Sequence, residues 1–577
     1  MQEFDLVVRS GTVIDGSGGP AARADVAVSG GIIVEVGEIK GRGRRELDAD
    51  GAIVAPGFVD IHTHYDGQAV WDDRLQPSSW HGVTTVVSGN CGVGFAPVRT
   101  EHRDQLIDLM EGVEDIPGTA LHEGLSWEWT SFSEYLDVLE KRPRDIDLAT
   151  QVPHAPIRFF AMGSRAVAFE QATESEIAVM SQLAKEAIEA GALGFSTSSA
   201  PAHQTKSGEH TPTYGSGTDE LVAIAAAVGS AGTGVLQYVT AFPDVTADFA
   251  VMRRMVAASG RPLSVSVVQD RGKPRGYQEV LNQLTAANAD GLCIRGQVAS
   301  RAIGMLLGLE CTIHPFMMNP VWLSLADLPV AEQAMRMADP RVRQAILAAQ
   351  TTEKNPHLTG GLRIDRYDSM YVLSDPPDYE PDVSTSLAEL AATSGRTAEE
   401  VAYDTMIADQ GRGLIYQAFS NYADGSLDAV REMLVHEHTL PGLSDGGAHV
   451  GSICDASYPT MLLQHWARDR ASGKLDLPFV IRRQARDTAR AVGLLDRGEL
   501  RPGYKADLNI IDMAALRMHR PRMSYDLPTG GRRLLQRADG YRHTIVNGVE
   551  TYHDGEATGE LPGRVVRGAR ARPSGLA

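Results

Sequence analysis

Hydrophobic and polar positions in the middle of the chain alternate between short apolar runs and longer amphipathic stretches. The run from Val83 to Val87 contains only valine and threonine, which is typical of a parallel strand buried on both faces. Thr173 and Glu176 fit a capping box, and apolar residues then recur at helical spacing as far as Gly191. Further strands are predicted at residues 148–152, 192–197, 235–239, 263–268, 292–297 and 440–445. With the apolar run 53–61 as the first strand, this alternation predicts an α/β protein containing a (β/α)8 barrel, the TIM-barrel architecture.

The two ends of the chain share a different pattern. Short β-rich runs separated by glycine turns occupy residues 4–38, and similar runs return at 506–511 and 543–551. Such runs are typical of antiparallel sheet. We therefore expect a small β-sandwich domain built from residues 1–55 and 497–560, around a barrel at residues 56–496.

The strand–helix alternation fails in one long segment, at about residues 299–438. Its pattern predicts a mostly helical insertion, and an excursion of this length between two barrel strands is usually an active-site cover. The end of the chain, residues 564–577, combines arginines, proline and glycine without periodicity. That composition predicts a disordered tail.

Composition and charge narrow the class of protein. The 577 residues are 43% hydrophobic and 22% charged, with a formal net charge of −20. This negative balance argues against a nucleic-acid partner, since nucleic-acid binders show basic patches. Four cysteines form no disulfide framework, and no apolar run has signal-peptide or transmembrane length. We therefore expect a cytoplasmic protein that acts on a small molecule and does not bind membranes; a homo-oligomer is compatible with the sequence.

Candidate chemistry begins where the first predicted strand ends, at His62 and His64. Side chains alternate faces along a strand, so both imidazoles point the same way and could hold one metal ion. A bare His-x-His is more often a pair of satisfied histidines. Here Pro-Gly-Phe-Val-Asp precedes the pair and Tyr-Asp follows it, and this context resembles the metal-binding first strand of the amidohydrolase superfamily.

A second segment makes the resemblance more specific. Residues 88–97, Ser-Gly-Asn-Cys-Gly-Val-Gly-Phe-Ala-Pro, resemble the segment that carries the metal-binding cysteine of D-aminoacylases, the N-acyl-D-amino-acid deacylases. A lone cysteine is otherwise more often a small buried hydrophobe. The resemblance extends from residues 4–7 through 191–197 to 546–548. It implies that Cys91 is a metal ligand.

The resemblance also assigns a role to Asp445, in Ser-Asp-Gly-Gly-Ala-His. In the family this aspartate touches the metal and moves a proton between the attacking water and the leaving nitrogen. An isolated aspartate before two glycines is usually a turn residue. Together with His62, His64 and Cys91, it implies a metal-ligand set of imidazole, thiolate and carboxylate. That set suits Zn²⁺, with iron or manganese as alternatives.

Two features depart from the family pattern. D-aminoacylases carry metal-binding histidines at the ends of the fifth and sixth strands, whereas residues 235–241 and 263–269 contain none. The fourth strand has no lysine that could be carboxylated. His203 and His210 could substitute, although they lie in a Gly/Thr/Pro-rich loop for which a solvated role is expected. His314 and His449 are further outside candidates.

The second departure concerns the arginine that binds the substrate carboxylate in the family. It has no clear counterpart after Asp445. Arg271, Lys273 and Arg295 are the substrate-binding candidates for that charge, with Arg275 beside them.

The sequence therefore predicts a metal-dependent hydrolase that cleaves a non-peptide amide C–N bond of a small acylated substrate, with one zinc ion per chain favoured. A hydrolase of a cyclic amide or another acyl compound is the alternative among enzymes. A barrel that has lost catalysis and serves as a binding scaffold is the alternative outside them.

Overall fold

The structure is a computed structural model that describes residues 3–349 and 364–574. Its helices and strands confirm the predicted mixed α/β class. The strands are β1 Glu3–Val13, β2 Ala22–Ser29, β3 Ile32–Gly37, β4 Arg42–Asp48, β5 Ile53–Pro56, β6 Phe58–Asp60, β7 Val83–Ser88, β8 Asp147–Thr150, β9 Val152–Pro153, β10 Gly194–Ser198, β11 Val235–Val239, β12 Leu263–Ser266, β13 Ile294–Val298, β14 Ile303–Leu307, β15 Met370–Val372, β16 Ile415–Ser420, β17 Thr439–Pro441, β18 Leu508–Ile511, β19 Arg517–Met518, β20 Arg522–Leu527, β21 Gly531–Leu535, β22 Ala538–Asp539, β23 Tyr541–Val546, β24 Val549–His553 and β25 Glu556–Ala557.

Helices follow most of the central strands. They are α1 Gln68–Trp71, α2 Arg103–Glu114, α3 Gly118–Gly124, α4 Phe132–Lys141, α5 His154–Met162, α6 Ser164–Val167, α7 Glu174–Ala190, α8 Thr218–Ser230, α9 Val245–Ser259, α10 Gly276–Ala289, α11 Pro320–Leu323, α12 Val330–Met337, α13 Pro340–Ala348, α14 Leu387–Ser394, α15 Ala398–Gly411, α16 Asp428–Val435, α17 Tyr458–Met461, α18 Leu477–Arg482 and α19 Thr488–Ala491. Residues 462–469 and 483–487 are π-helical. Within the described ranges, no helix is both long and apolar enough to span a bilayer.

Both ends of the chain contribute to one nine-stranded sheet. Its order is β25-β24-β23-β18-β5-β1-β2-β3, with β4 paired to the first half of β1. Strand β5 lies between β1 and β18, so it joins the N-terminal strands to the C-terminal ones. Buried aliphatic residues of both ends pack together beneath it, including Val8, Val54 and Ile510. The predicted boundaries of a separate β-sandwich domain stay a prediction.

The central strands form two parallel sheets. One has the order β6-β7-β8, and the other β9-β10-β11-β12-β13-β17. Only Gln151 separates β8 from β9 along the chain. At the opposite edges, a parallel bridge joins Thr63, after β6, to Gly446, after β17. Because the strands are parallel, their carboxyl ends lie on one side, where side chains from distant segments meet.

Local sequence explains the elements that frame this side. All six residues of β7 are buried, as its β-branched run predicts. Helix α7 begins at a capping box in which the Thr173 hydroxyl accepts from the Glu176 amide, and it ends at Gly191 in the left-handed region.

The long segment between β13 and β17 contains strands as well as helices. Helices α11 to α16 lie in it, as expected. It also contains an antiparallel sheet of order β14-β16-β15 that the sequence analysis did not predict. The first and last of these strands along the chain are more than 100 residues apart, so no hairpin signal marks their pairing. Residues 350–363 of the predicted insertion lie outside the described residues.

The end of the chain also differs from the predicted disordered tail. The amide of Leu148 donates to the carbonyl of Arg564 at 3.0 Å, and the amide of Val566 donates to the carbonyl of Leu148 at 2.8 Å. Val565 and Val566 are buried. Residues 564–566 are held by backbone hydrogen bonds to the edge of β8, which the arginine-rich composition does not reveal. Residues 575–577 of the predicted tail lie outside the described residues.

Candidate metal centre

Four side chains that are far apart in sequence converge at the carboxyl ends of β6, β7 and β17. His62 Nε2 lies 3.3 Å from Cys91 Sγ and 3.3 Å from Asp445 Oδ1. His64 Nε2 lies 3.7 Å from each of the same two atoms. We call His62, His64, Cys91 and Asp445 the four-residue cluster. The two imidazoles and the thiol are buried, whereas the Asp445 side chain is 25% exposed and can meet a substrate.

Backbone hydrogen bonds hold Asp445 beside the two histidines. The amide of Asp445 donates to the carbonyl of His62 at 3.1 Å, and the amide of His64 donates to the carbonyl of Gly446 at 2.8 Å. The Ser444 hydroxyl donates to the buried Asp60 carboxylate. Asp445 itself has φ of 48°, in the left-handed region that non-glycine residues rarely occupy. Several hydrogen bonds therefore hold an unfavourable backbone conformation.

Cys91 reaches the cluster through a turn that follows β7. A Cβ atom at Gly89 would lie 2.1 Å from the carbonyl oxygen of Gln151, so only glycine allows this close approach. The Asn90 amide donates to the carbonyls of Thr63 and Val87 and fixes the turn. Cys91 has φ of 57°, and its side chain is directed to the histidines.

Each imidazole has a second polar partner on its Nδ1 side. His62 Nδ1 lies 2.7 Å from Gln297 Oε1, and the Gln297 amide donates to Ser264. Because Gln297 offers an oxygen there, the His62 proton lies on Nδ1 and leaves the Nε2 lone pair toward the cluster. His64 Nδ1 lies 3.2 Å from Glu114 Oε1, at the end of α2.

Glu114 connects the cluster to His449. Its Oε2 lies 3.6 Å from His449 Nε2, and its carbonyl accepts a hydrogen bond from the His449 amide. Burial raises the pKa of the Glu114 carboxyl well above its usual range, and the charges of Asp445 and Asp66 raise it further. Sequence reasoning missed Glu114 entirely, because it closes an acidic helix that resembles a solvated surface element.

The electrostatics of the cluster are those of a buried acidic site. Burial, with the charge of Glu114 next, raises the pKa of the Cys91 thiol well above its usual value. Burial also raises the pKa of Asp445 well above its usual range and lowers that of His62 to about 4. Neutral imidazoles with a free lone pair are the form that binds metal, and a nearby cation would stabilise the anionic thiolate and carboxylate.

The donor spacing fits a tetrahedral ion. Donors at about 2.0–2.3 Å from such an ion are separated by about 3.3–3.7 Å. Four of the six donor–donor distances, those from each imidazole to Cys91 Sγ and to Asp445 Oδ1, fall in that range. Ligand atoms of His62, His64 and Cys91 all lie within 4.8 Å of one another. The residues present therefore fit a zinc-type ion.

The fifth and sixth strands present amides at the cluster's other side. Gln237, on β11, is buried and accepts the Cys91 amide proton at 3.0 Å, while its own Nε2 has no hydrogen-bond partner in the described structure. Gln269 is turned away, because its amide nitrogen donates to Asp424 at 2.8 Å and its oxygen accepts from Ala423.

The other candidate histidines, His203, His210 and His314, lie in different parts of the structure. His203 Nδ1 shares a hydrogen bond with the Ser198 hydroxyl at 2.8 Å, and burial, with the charge of His62 next, lowers the pKa of His203 to about 4. His210 stacks on Tyr214. His314 is buried beside Trp322 within the excursion. His203 is therefore a neighbour of the cluster rather than part of a solvated loop surface.

The predicted cationic candidates do not meet the cluster. Arg271 is ion-paired with Asp368 at 2.5 Å. The Lys273 amide closes a turn on Asp270. Arg295 lines a small cavity at the opposite, amino-terminal ends of β11 and β12, because its position early in β13 directs it there. Within residues 3–349 and 364–574, none of the three candidates forms a hydrogen bond or ion pair with the four-residue cluster.

Comparison with known proteins identifies the family. The amidohydrolase family model matches residues 45–552, and the chain belongs to this family. The chain is 28% identical to a D-aminoacylase of Alcaligenes xylosoxydans xylosoxydans, with 98% of each chain covered. It is 29% identical to an N-acyl-D-glutamate deacylase of the same organism, covering 98% of this chain and 97% of that protein.

Solved structures agree with this placement. A D-aminoacylase structure determined to study the functional role of its binuclear metal center has a TM-score of 0.65 and 25% identity, over 98% of this chain and 100% of that one. An N-acyl-D-glutamate deacylase from Bordetella bronchiseptica, complexed with zinc and a phosphonate inhibitor, has the same fold with a TM-score of 0.64, 22% identity and the same coverage. The predicted superfamily and its D-aminoacylase branch are confirmed.

Proposed function

We propose that this chain is a metal-dependent hydrolase that cleaves the amide C–N bond of a small acylated substrate, in the manner of a D-aminoacylase. The observation that carries the proposal is the convergence of His62, His64, Cys91 and Asp445 at one point, with only Asp445 partly open to solvent. The relatives named as a D-aminoacylase and as N-acyl-D-aspartate and N-acyl-D-glutamate deacylases support the same bond type.

Zinc is the ion that the donor set suits best. His62, His64 and Asp445 would hold it, with Cys91 as the fourth ligand, and the bound ion would make a water molecule more acidic and polarise the substrate carbonyl. Gln297 and Glu114 orient the two imidazoles from behind.

Asp445 moves the proton in this reaction. Its Oδ1 faces both imidazoles, and its side chain is the exposed member of the cluster. It accepts a proton from the attacking water and delivers it to the leaving nitrogen, which converts a poor amine leaving group into a good one.

One metal per cluster is the favoured count. In the related D-aminoacylase the centre is described as binuclear. Here Gln237 lies within the fifth strand and Gln269 follows the sixth, and an amide oxygen is a poor replacement for imidazole at zinc. Both amides are also committed to hydrogen bonds inside the protein.

The same proposal includes a closed barrel. Strands β6 to β13 with β17, counting β8 and β9 as one, supply eight parallel strands in chain order. The break at Gln151 and the bridge from Thr63 to Gly446 would join the two parallel sheets at both edges. Such closure would place the four-residue cluster at the carboxyl-terminal mouth, where barrels of this class hold their active sites.

Chelation followed by metal return tests the proposal. The stripped protein is assayed against N-acyl-D-amino acids, their L-enantiomers and cyclic amides, before and after addition of Zn²⁺. We expect no turnover without metal and recovery with zinc on at least one acyl-amide. Hydrolysis by a preparation shown by elemental analysis to be metal-free would overturn the mechanism, and turnover of cyclic amides alone would redirect the substrate class.

A further inference from the structure

A second group of potential metal ligands lies on the terminal sheet, on different elements from the four-residue cluster. His543 belongs to β23, and Glu550 and His553 belong to β24. One ligand atom from each lies within 4.8 Å of the other two. We call these three residues the terminal-sheet cluster. Nothing in the proposed amide hydrolysis uses them.

A β-bulge creates the cluster. His543 pairs with His553 and Thr544 with Tyr552, but Ile545 pairs with Glu550, so Thr551 has no partner in the register. Side chains three positions apart on a regular strand point to opposite faces. The extra residue reverses this alternation and places Glu550 on the same face as His553.

The three side chains meet at one carboxylate oxygen. Glu550 Oε1 accepts from His543 Nδ1 and lies 3.1 Å from His553 Nδ1. The other oxygen, Oε2, is bound by the Arg45 guanidinium from β4. Arg45 therefore neutralises one side of the carboxylate and leaves Oε1 as the atom that faces both imidazoles. Glu550 is almost fully buried, so this oxygen has little access to bulk water.

Both imidazoles direct Nδ1 at the same carboxylate oxygen, Glu550 Oε1. His553 Nε2 lies 3.5 Å from the Asp554 carboxylate, and Nδ1 lies nearer to Glu550 Oε1, at 3.1 Å, so a bound metal ion would displace a proton from Nδ1.

We propose that His543 Nδ1, Glu550 Oε1 and His553 Nδ1 form a second divalent-metal site, of the two-histidine, one-carboxylate type, for zinc or a neighbouring transition ion. Two imidazoles and a carboxylate suit such ions and are poor ligands for Mg²⁺ or Ca²⁺. The site joins β23 and β24 directly and β4 through Arg45, so metal binding stabilises the sheet built from both ends of the chain. The three donors leave at least one coordination position on the ion open to water, because His553 lies at the surface.

Metal counting in variants tests the proposal. Purified protein is stripped, incubated with Zn²⁺ alone and desalted, and zinc is measured by elemental analysis. We expect about two zinc ions per chain in wild type and about one in His553→Ala. His553 is exposed, so its removal should not unfold the protein. The matched control is His519→Ala, which removes another exposed histidine, paired with Asp539 at 2.8 Å, and should retain both ions.

A thermal readout separates this site from the four-residue cluster. Added Zn²⁺ should raise the melting temperature of a Cys91→Ala variant, and the rise should vanish when His553→Ala or Glu550→Gln is combined with it. Equal zinc content in wild type and His553→Ala, with an unchanged thermal shift, would overturn the proposal and leave an internal hydrogen-bond network. Hydrolysis by zinc-loaded His553→Ala should equal wild type, so failure of this site and failure of the proposed function give different results.

Discussion

The carboxyl ends of the first and last central strands and those of the fifth and sixth strands carry opposite chemistry. At β6, β7 and β17 the chain presents two imidazoles, a thiol and a carboxylate whose facing atoms lie 3.3–3.7 Å apart. On β11 and just after β12 it presents two glutamines that are hydrogen-bonded to the Cys91 amide and to Asp424, respectively. The first side keeps its donors free for a ligand, whereas the second side uses them to hold the protein together.

The side-chain amides of Gln297 and Gln237 act differently on these two sides of the site. Gln297 contacts Nδ1 of His62, the ring nitrogen that points away from the four-residue cluster. An amide thus orients an imidazole of the proposed metal site without being a ligand itself. Gln237 accepts the Cys91 amide proton and supports the backbone of that residue. The same residue type thus orients an imidazole in one place and holds a backbone turn in the other.

The largest effect is expected for Asp445→Asn. Asparagine preserves the shape of the side chain but cannot accept the proton, so kcat should fall by at least ~10²-fold, the scale of a general acid–base group. Stopped assays with the best acyl-amide from the substrate panel measure the loss, and a melting curve checks that the fold is kept. Near wild-type turnover in Asp445→Asn would show that another carboxylate, Glu114 being the first to examine, moves the proton.

Sequence patterns anticipated the parts of this site that depend on neighbours along the chain. His62, His64, Cys91 and Asp445 each sit in a short motif at a strand end. Glu114 and Gln297 carry no such signal, because their partners His64 and His62 are 50 and 235 residues away and only tertiary packing brings them together.

In the fold, too, the elements that depend on local sequence were predicted, and those that depend on distant partners were not. Strands such as β7 and β11 follow from β-branched and apolar runs, and α7 from its capping box and periodicity. The pairing of β14 with β16 and the docking of residues 564–566 on β8 depend on free sheet edges elsewhere in the molecule. Neither edge is visible in the local sequence.

The next effect concerns Gln297→Leu. Losing the oxygen that fixes the His62 tautomer should weaken zinc binding by about 10–100-fold, as is usual for groups that orient a metal-bound histidine. Zinc affinity is measured by competition with a chromophoric chelator, in the His553→Ala background so that only the four-residue cluster is counted. Turnover at saturating zinc should recover most of the wild-type rate. An unchanged affinity would mean that Gln297 serves the fold and not the ligand.

Gln237→Leu is the matched substitution on the other side. It leaves the Cys91 amide without its acceptor, which should lower the free energy of unfolding by about 1–3 kcal/mol. Urea denaturation with the zinc-free protein measures the loss. Zinc stoichiometry should stay at the value of the parent. A lost zinc ion in this variant would contradict the distinction drawn between the two sides and would make Gln237 a metal ligand.

The smallest effect is expected for His203→Ala. His203 is hydrogen-bonded to Ser198, and burial with the charge of His62 lowers its pKa, so it is a candidate to rebuild a second metal position. In the part of the chain that the structure describes, however, its side chain bonds Ser198 and no member of the four-residue cluster. We therefore expect His203→Ala to keep the single zinc of the four-residue cluster, counted in the His553→Ala background, whereas Cys91→Ala in that background should lose much of it because a ligand is removed. Two zinc ions in the His553→Ala parent, falling to one when His203 is removed, would show that the second half of the centre has been rebuilt from the loop after β10.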